Sequence, residues 1–470
     1  MIHSKMCKPR AFPWNSARVP EQIDRLQNIT GDQTLNREKV YEIGRVGRLG
    51  FKKGTPTFAY SATQFEYGSM AFWYDLANKA TPVAVVGVAW ARTLTVVTIT
   101  STGHGLLTGD LITITVSSDV TALPLATYTI TKLTADTFTV VGLNAGGATG
   151  TCTYSVRYYI DLDNLVETQC DIAAFLTDDN ATFRGTIWFP GLRVNGFSIN
   201  IADPAATIER SFDLVGEDYK MLDAKYLAYQ SHVATIPIEV ITLSPAAIEW
   251  ASGDFVFRVL RVRSGVVSEL EEGVGTNQWS YATGDVTVND CVATDLIKIY
   301  YPAATAYTTT WTDNDADPDL LLAEYAEISL KVGTGTRIYR LQSVGIDVAF
   351  DRADYKEIGN SEVVQRGVNN KTVTVALNRF AENFALEDIL ASDTIYPYID
   401  PSNFAEDIQM QVKIFGEKAH TNFKIGFLVT GLSPTTIGTT QDVEAYQQRT
   451  VNLESDNLMI SDHETEIAFV

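Results

Sequence analysis

The sequence predicts a mainly β (α+β) chain in which one unit, a β-sandwich or barrel carrying a single helix, occurs twice in tandem and is accompanied by inserted small all-β modules. Three observations lead there: an ungapped internal alignment, a later change in its offset, and period-2 alternation of apolar residues in both halves. With 470 residues and 45% hydrophobic composition, the chain has material for about three packed cores.

Residues 25–44 (RLQNITGDQTLNREKVYEIG) align with residues 340–359 (RLQSVGIDVAFDRADYKEIG) at an offset of 315. The identities include Arg25/Arg340, Asp32/Asp347, Arg37/Arg352, Glu42/Glu357 and Gly44/Gly359. Further matches follow in the same order, Phe65/Phe380 and then Leu76/Leu390 at offset 314. Beyond them Asn164/Asn403, Glu167/Glu406, Arg210/Arg449 and Leu214/Leu453 match at offset 239. The step implies an insertion of about 75 residues in the first copy, between Ala77 and Asn164. The expected organisation is a first repeat from 1–80 and 157–225, an inserted Thr/Gly-rich β module at 81–156, a second small β module or linker at 226–322, and a second repeat at 323–470.

Taken in order, the first repeat is expected to hold a helix over 65–77 and strands at 185–189, 197–201 and 208–214. In the insert the only charged residues are Arg92, Asp110, Asp119, Lys132 and Asp136, while Ile112, Ile114 and Val116, then Tyr128 and Ile130, alternate with polar residues as half-buried strands do. The middle region shows strand-like runs at 256–262 and 296–300, with turn signals at Ser252-Gly253 and Thr283-Gly284. In the second repeat Val373, Val375 and Leu377 alternate, a helix is expected over 380–391, and Ile408, Met410, Val412 and Ile414, then Phe423, Ile425 and Phe427, mark two more strands.

Lys+Arg is 36 and Asp+Glu is 57, a formal charge of −21, so a duplex would be repelled rather than gripped. Cys7, Cys152, Cys170 and Cys291 show no metal-ligand spacing, and the pattern suits a reducing compartment. Residues 1–25 lack an apolar signal core, and the apolar stretch 82–90 is too short to span a membrane, so a soluble protein made in a cytoplasm is expected. Asp313, Asp315, Asp317 and Asp319 with Glu324 at the twelfth position have the outline of a calcium loop, but Pro318 stands where the sharp turn needs glycine, and a helix start over 319–325 reads better.

His3, His104, His232, His420 and His463 sit in no recognisable catalytic context, and His104 falls in a glycine turn. Asp161 and Asp163 could serve glycoside chemistry, but an exposed acidic strand edge is the commoner meaning of that spacing. The aromatic run Phe58, Tyr60, Phe65, Tyr67, Phe72, Trp73 and Tyr74 has no interleaved basic residues and is expected in a helix–sheet core or subunit contact. No catalytic, cofactor-binding or metal residues are assigned and no enzyme is predicted. The residues singled out are the repeat-equivalent structural pairs Arg37/Arg352, Glu42/Glu357, Gly44/Gly359 and Arg210/Arg449.

A repeated antiparallel sheet leaves edges, and closing a ring across subunits removes them; a chain with two copies would do so as a trimer with pseudo-sixfold symmetry. The segments TIERSFDLVGE at 207–217, LNRE at 35–38 and YEIG at 41–44 resemble tail tube proteins of tailed bacteriophages, in the variant with two fused tube domains forming trimeric, pseudo-hexameric rings. GHGL at 103–106, GD at 109–110 and DTFTV at 136–140 resemble β modules common in phage structural proteins.

The resemblance implies a structural virion protein located in the virion tail and assembled in the host cytoplasm. Its rings would stack helically into the major tail tube and conduct DNA during ejection. Its partners would be other copies of itself, a tape-measure protein and genomic DNA in the lumen, tail terminator and baseplate proteins at the ends, and a sheath if the tail contracts, with no cofactor and no membrane. Strands of the two repeats, including some of 37–44, 208–217, 352–359 and 447–456, are expected in the lumen wall, the insert outside it, and long loops and termini between rings. The alternatives are a baseplate or distal-tail ring protein, and a carbohydrate-binding or carbohydrate-cleaving surface protein.

Overall fold

The computed structural model describes residues 8–469, apart from 15–19, 35–36, 42–47, 54–56, 78–83, 103–110, 135, 158, 167, 179–181, 204, 217–219, 251–252, 264–265, 306–319, 333, 338–340, 356–364, 381–389, 391–404, 441–447 and 465. The chain divides into two compact units, Met1–Lys79 with Ile160–Val470, and Ala80–Tyr159. Both are almost wholly β.

In chain order the elements are β1 (Lys8–Pro13), β2 (Glu21–Gln22), β3 (Leu26–Thr34), β4 (Arg37–Tyr41), β5 (Arg48–Lys53), β6 (Thr57–Phe65) and helix α1 (Ala71–Leu76). The smaller unit contributes β7 (Ala84–Thr100), β8 (Leu111–Ser117), β9 (Thr127–Thr129), β10 (Thr131–Lys132) and β11 (Thr137–Arg157). Next come β12 (Ile160–Asp161), helix α2 (Asp163–Val166), β13 (Cys170–Thr177), β14 (Phe183–Ile201), β15 (Glu209–Gly216) and β16 (Lys220–Asp223). The middle region holds β17 (Tyr226–Val233), β18 (Ile238–Thr242), β19 (Arg258–Arg263), β20 (Val266–Glu269), β21 (Glu271–Glu272), β22 (Gln278–Ala282), β23 (Asp285–Asn289) and β24 (Leu296–Ala303). The chain closes with β25 (Ala326–Val332), β26 (Thr334–Arg337), β27 (Leu341–Tyr355), β28 (Gln365–Phe380), β29 (Ile408–Phe415), β30 (Phe423–Thr440), β31 (Gln448–Ser455) and β32 (Asn457–Ser461).

Strand pairing is the same in the two halves. β1 pairs β13, β13 pairs the first part of β14, and β16 also lies on that part; β25, β29, β30 and β32 are joined in the same way. The second part of β14 pairs β15, then come β6 and β3; the second part of β30 pairs β31, then β28 and β27. Even the irregularities coincide. Leu26 faces Gln64 and, past a bulge, Asn28 faces Thr63, while Leu341 faces Arg379 and, past a bulge, Ser343 faces Asn378. Bulges also recur at Val194/Gly196 and Pro434/Thr436, and at Cys170/Ile172 and Ile408/Met410. A bulge adds one residue and turns the strand, so its position is a structural requirement rather than an accident of register.

The cores adjust by exchange of volume. Gly31 leaves no room for a side chain, since a Cβ there would lie 2.3 Å from the Phe189 ring. The corresponding residues of the second half are Ile346 and Val429, both fully buried, so the bulk lies on the opposite partner. Gly31→Ala is therefore expected to cost about 1–3 kcal/mol by overpacking, and adding Phe189→Val should recover most of it. Urea unfolding of the single and double variants checks this, and strict additivity would refute the exchange.

Several expectations need correction. The helix placed over 65–77 starts only at Ala71: Phe58, Tyr60, Ala62, Gln64 and Glu66 are buried in alternation, so the strand period runs through Phe65. Phe380 likewise ends β28 instead of opening a helix, because the alternation of Val373, Val375 and Leu377 continues to Arg379; of the helix expected after it, Leu390 is described and helical, and 381–389 lie outside the described residues. The strands expected at 185–189 and 197–201 are one 19-residue strand, β14, bent by bulges so that it serves two sheets. The expected helix at 319–325 is a single 3-10 turn, Ala323–Tyr325, and Asp313 to Asp319 lie outside the described residues.

The middle region is two four-stranded sheets, β17-β24-β19-β20 and β18-β23-β22-β21, packed around Val259, Ile297, Ile299, Val286, Val288 and Trp279. Thr283 and Gly284, both at positive φ, turn the β22–β23 hairpin.

In the smaller unit β7 runs antiparallel along β11, which also pairs β8 and β10. Its core is Trp90, Val97, Ile99, Ile112, Ile114, Ile130, Phe138 and Tyr154. Val116, expected to alternate inward, is 58% exposed at the strand end. Arg92 is buried and donates to the carbonyls of Ala122 (2.9 Å) and Gly146 (3.0 Å). Cys152 is buried, which pushes its thiol up to about 11 and leaves it inert as a nucleophile.

Candidate functional site

The two halves meet edge to edge. The second part of β14 pairs antiparallel with β27, Phe197 facing Val348, Ser198 facing Asp347 and Ile199 facing Ile346. This join makes one continuous eight-stranded sheet in the order β3-β6-β15-β14-β27-β28-β31-β30.

One face of that sheet is apolar. Tyr60, Phe197, Phe212, Ile346, Val348 and Val375 are buried on it, and α1 covers part of it, Phe72 edge-on to Phe212 at 4.9 Å and Trp73 edge-on to Phe197 at 4.9 Å.

The opposite face is polar. In the three rows that cross the sheet through Gly196, Ser198 and Asn200 there is no lysine or arginine. The charged residues in these rows are Glu209, Asp213, Asp347 and Glu454, all exposed; in the next row Asp32 is exposed on β3 and Arg193 stands on β14. The other positions of the three rows are Ser, Thr, Asn, Gly and Ala, with Phe65 as the one aromatic. Short polar side chains bond one another across the strands, as Thr63 Oγ1 and Ser211 Oγ do at 3.2 Å and Asn378 Nδ2 to Ser343 Oγ at 2.8 Å.

The sheet has two outer edges. Among the described residues β3 pairs only β6, and the 433–440 part of β30 pairs only β31.

Arg210 is the residue by which the apolar side of the first half is pinned. Its place in β15 between Ile208 and Phe212 turns it inward, where it is fully buried. Its Nε donates to Gln64 Oε1 at 2.8 Å and its Nη1 to Glu66 Oε2 at 3.0 Å, with Tyr67, Trp73 and Phe212 rings 5.5 to 5.7 Å from its Cζ. Glu66 is also fully buried and receives the backbone N–H groups of Tyr67 and Gly68. In the second half the matching cross-strand pair is Arg449 and Arg379.

Of the other singled-out residues, Arg352 donates to the carbonyls of Val194 (2.7 Å) and Val166 (3.0 Å), tying the end of β27 to the first half. Arg37 lies in the β4–β5 hairpin, a two-stranded sheet separate from the large one. Glu42, Glu357, Gly44 and Gly359 lie outside the described residues.

A second buried cluster joins the middle region to the first repeat. Asp171, fully buried, accepts from Trp14 Nε1 (2.7 Å), Trp188 Nε1 (3.2 Å) and the Gly191 N–H (2.8 Å), with Arg258 Nη1 at 3.9 Å. Burial pushes its carboxyl up to about 6 against the pull of Arg258 and these donors. Lys298, also fully buried, donates to the Pro13 carbonyl, and burial brings it down to about 7. Trp188 stacks on Tyr300, and Phe12 packs on Tyr229 and Tyr300 around the charges.

The remaining candidates are structural. Asp161 Oδ1 accepts the Asn164 N–H at 2.8 Å and so caps α2, while Asp163 sits in that helix and pairs with Lys371 at 2.6 Å; the expected acidic strand edge is a helix start, because β12 ends at Asp161. Glu324 accepts from Lys418 at 2.8 Å. His232 bonds Glu239 at 3.0 Å, His420 stacks on Phe415, and His104 lies outside the described residues. Among the described residues no group of three or more His, Cys, Asp or Glu is placed to hold a metal.

Gln64, Glu66, Asp171 and Lys298 escaped the sequence reading. The strand period through 58–66 was the available signal for the first two; for the others, nothing local marks an acid at the start of an apolar strand, or a lysine within one, as buried.

No protein-family model matches the chain, and no curated protein sequence matches it. Among solved structures, the phage phi92 endosialidase aligns with 91% of this chain and 81% of its own at 11% identity, with a TM-score of 0.18, too low to carry a shared fold.

Proposed function

We propose that this chain is a structural virion protein, the subunit of a tailed phage's tail tube, three copies of which form each ring. The observation that carries this reading is the continuous eight-stranded sheet, built of two equivalent halves, with a face that bears carboxylates and small polar residues and with outer edges that are unpaired among the described residues. Three chains bring about 24 strands into one ring, and strands about 4.8 Å apart and tilted about 40° make a wall about 48 Å across. Barrels of about 16–18 strands already enclose an aqueous channel.

A conduit must let DNA pass without holding it. Carboxylates in rows free of lysine and arginine repel phosphates and release no counterions on contact, so the duplex stays hydrated and mobile. The apolar face, with α1 over it, then lies away from the lumen. Asp161 and Asp163, the residues a carbohydrate reading would use, are engaged in capping α2 and pairing Lys371, which favours a structural role for them.

Purified chain is expected to form striated tubes by negative-stain microscopy, with three subunits per ring by native mass measurement. Single, unstacked rings would favour the distal-tail alternative, and six chains per ring would refute the fused-pair design.

A further inference from the structure

The join between the halves also specifies how one chain meets the next. β14 and β27 form it; their counterparts are β30 and β3, and those are the two strands whose outer edges are unpaired among the described residues. We propose that a second copy of this chain occupies each edge, β30 of one copy pairing antiparallel with β3 of the next in the register of the internal join. The inference deepens the ring reading and rests on it only for closure into three.

The register follows from the repeat offsets. Residues of β14 correspond to β30 at 240 and residues of β3 to β27 at 315, as the shared bulges fix. Ser198 facing Asp347 then becomes Gly438 facing Asp32, Gly196 facing Ala349 becomes Thr436 facing Thr34, and Phe197 facing Val348 becomes Ile437 facing Gln33. Such a contact is head to tail: it uses different surfaces on the two partners and closes into a ring when the rotation permits.

Within the pairing window the edges carry neither lysine nor proline, and the bulges of β3 and β30 lie outside it: β3 contains no lysine and no proline, and Pro434 in β30 precedes the window. The two seams differ in side chains. The internal one brings together Phe197/Val348, Ile199/Ile346 and Ile201/Val344, whereas the corresponding external pairs include Ile437/Gln33 and Thr439/Gly31. The seam between chains therefore rests mainly on backbone hydrogen bonds, and it is the one that opens when a ring comes apart.

The test is a cross-link in the full chain. Asp32→Cys with Gly438→Cys, and separately Thr34→Cys with Thr436→Cys, are oxidised and run without reductant. The expected result is a ladder ending in a covalent trimer, at about ten times the yield of the one-residue-shifted pair Asp32→Cys with Ile437→Cys, whose side chains lie on opposite faces. Tubes that assemble without cross-linking, equal yields for the shifted pair, or monomer throughout would overturn the seam. Cross-linked trimers that do not stack would uphold the seam and count against the tube.

Discussion

Replacing Arg210 by alanine is expected to destabilise the larger unit by about 3–5 kcal/mol, because it strands a buried carboxylate. Glu66 is fully buried, and Arg210 is the cation bonded to it. The same substitution removes the guanidinium from among Tyr67, Trp73 and Phe212 and leaves Gln64 Oε1 without its donor. Replacing both members, Arg210→Met with Glu66→Gln, should cost clearly less than Arg210→Ala alone, since no charge is left buried while the amide oxygen can still receive the Tyr67 and Gly68 N–H groups. Urea unfolding followed by tryptophan fluorescence measures both, and a loss under about 1 kcal/mol for the single variant would show that the pair contributes little.

Asp171→Ala is expected to have an effect of similar size, about 3–5 kcal/mol, since it leaves two indole N–H groups and one backbone N–H without their acceptor and removes a counter-charge from Arg258. It also has a pH signature. The folded-state carboxyl titrates at about 6, above its ordinary 3.8, so its contribution to stability is present below about pH 4 and is lost as pH rises through about 6. Lys298 runs the other way: held down at about 7 from 10.5, it contributes fully above about pH 10.5, and that contribution is lost as pH falls through about 7. Subtracting the Asp171→Asn unfolding profile from the wild-type one between pH 4 and 7 should isolate the falling limb. A pH-independent difference would show that Asp171 is not the group responsible.

The duplication was legible because side-chain identity persisted where geometry demanded it, at Arg210/Arg449 and Leu214/Leu453, in strands whose partners are also repeated. The strands themselves were visible in the alternation of Val373, Val375 and Leu377 and of Ile408 to Ile414. Helix limits were less so: Phe65 and Phe380 begin windows that also fit a helical period, and only the burial of Glu66 and Arg379 shows that the strand continues. The join of β14 to β27 could not be read at all, since pairing between edges far apart in sequence leaves no local pattern. The same is true of the Asp171 cluster, whose members lie at positions 14, 171, 188, 258 and 298.

The smaller unit enters and leaves through adjacent strands, Ala84 lying opposite Ser155 in the β7–β11 ladder. Two chain ends held one strand spacing apart, about 5 Å, are what a host loop needs to accept a foreign domain without being stretched. The segment Ala80–Tyr159 thus has the termini of a replaceable cassette: a tight turn could stand in for it, or another folded domain with neighbouring termini.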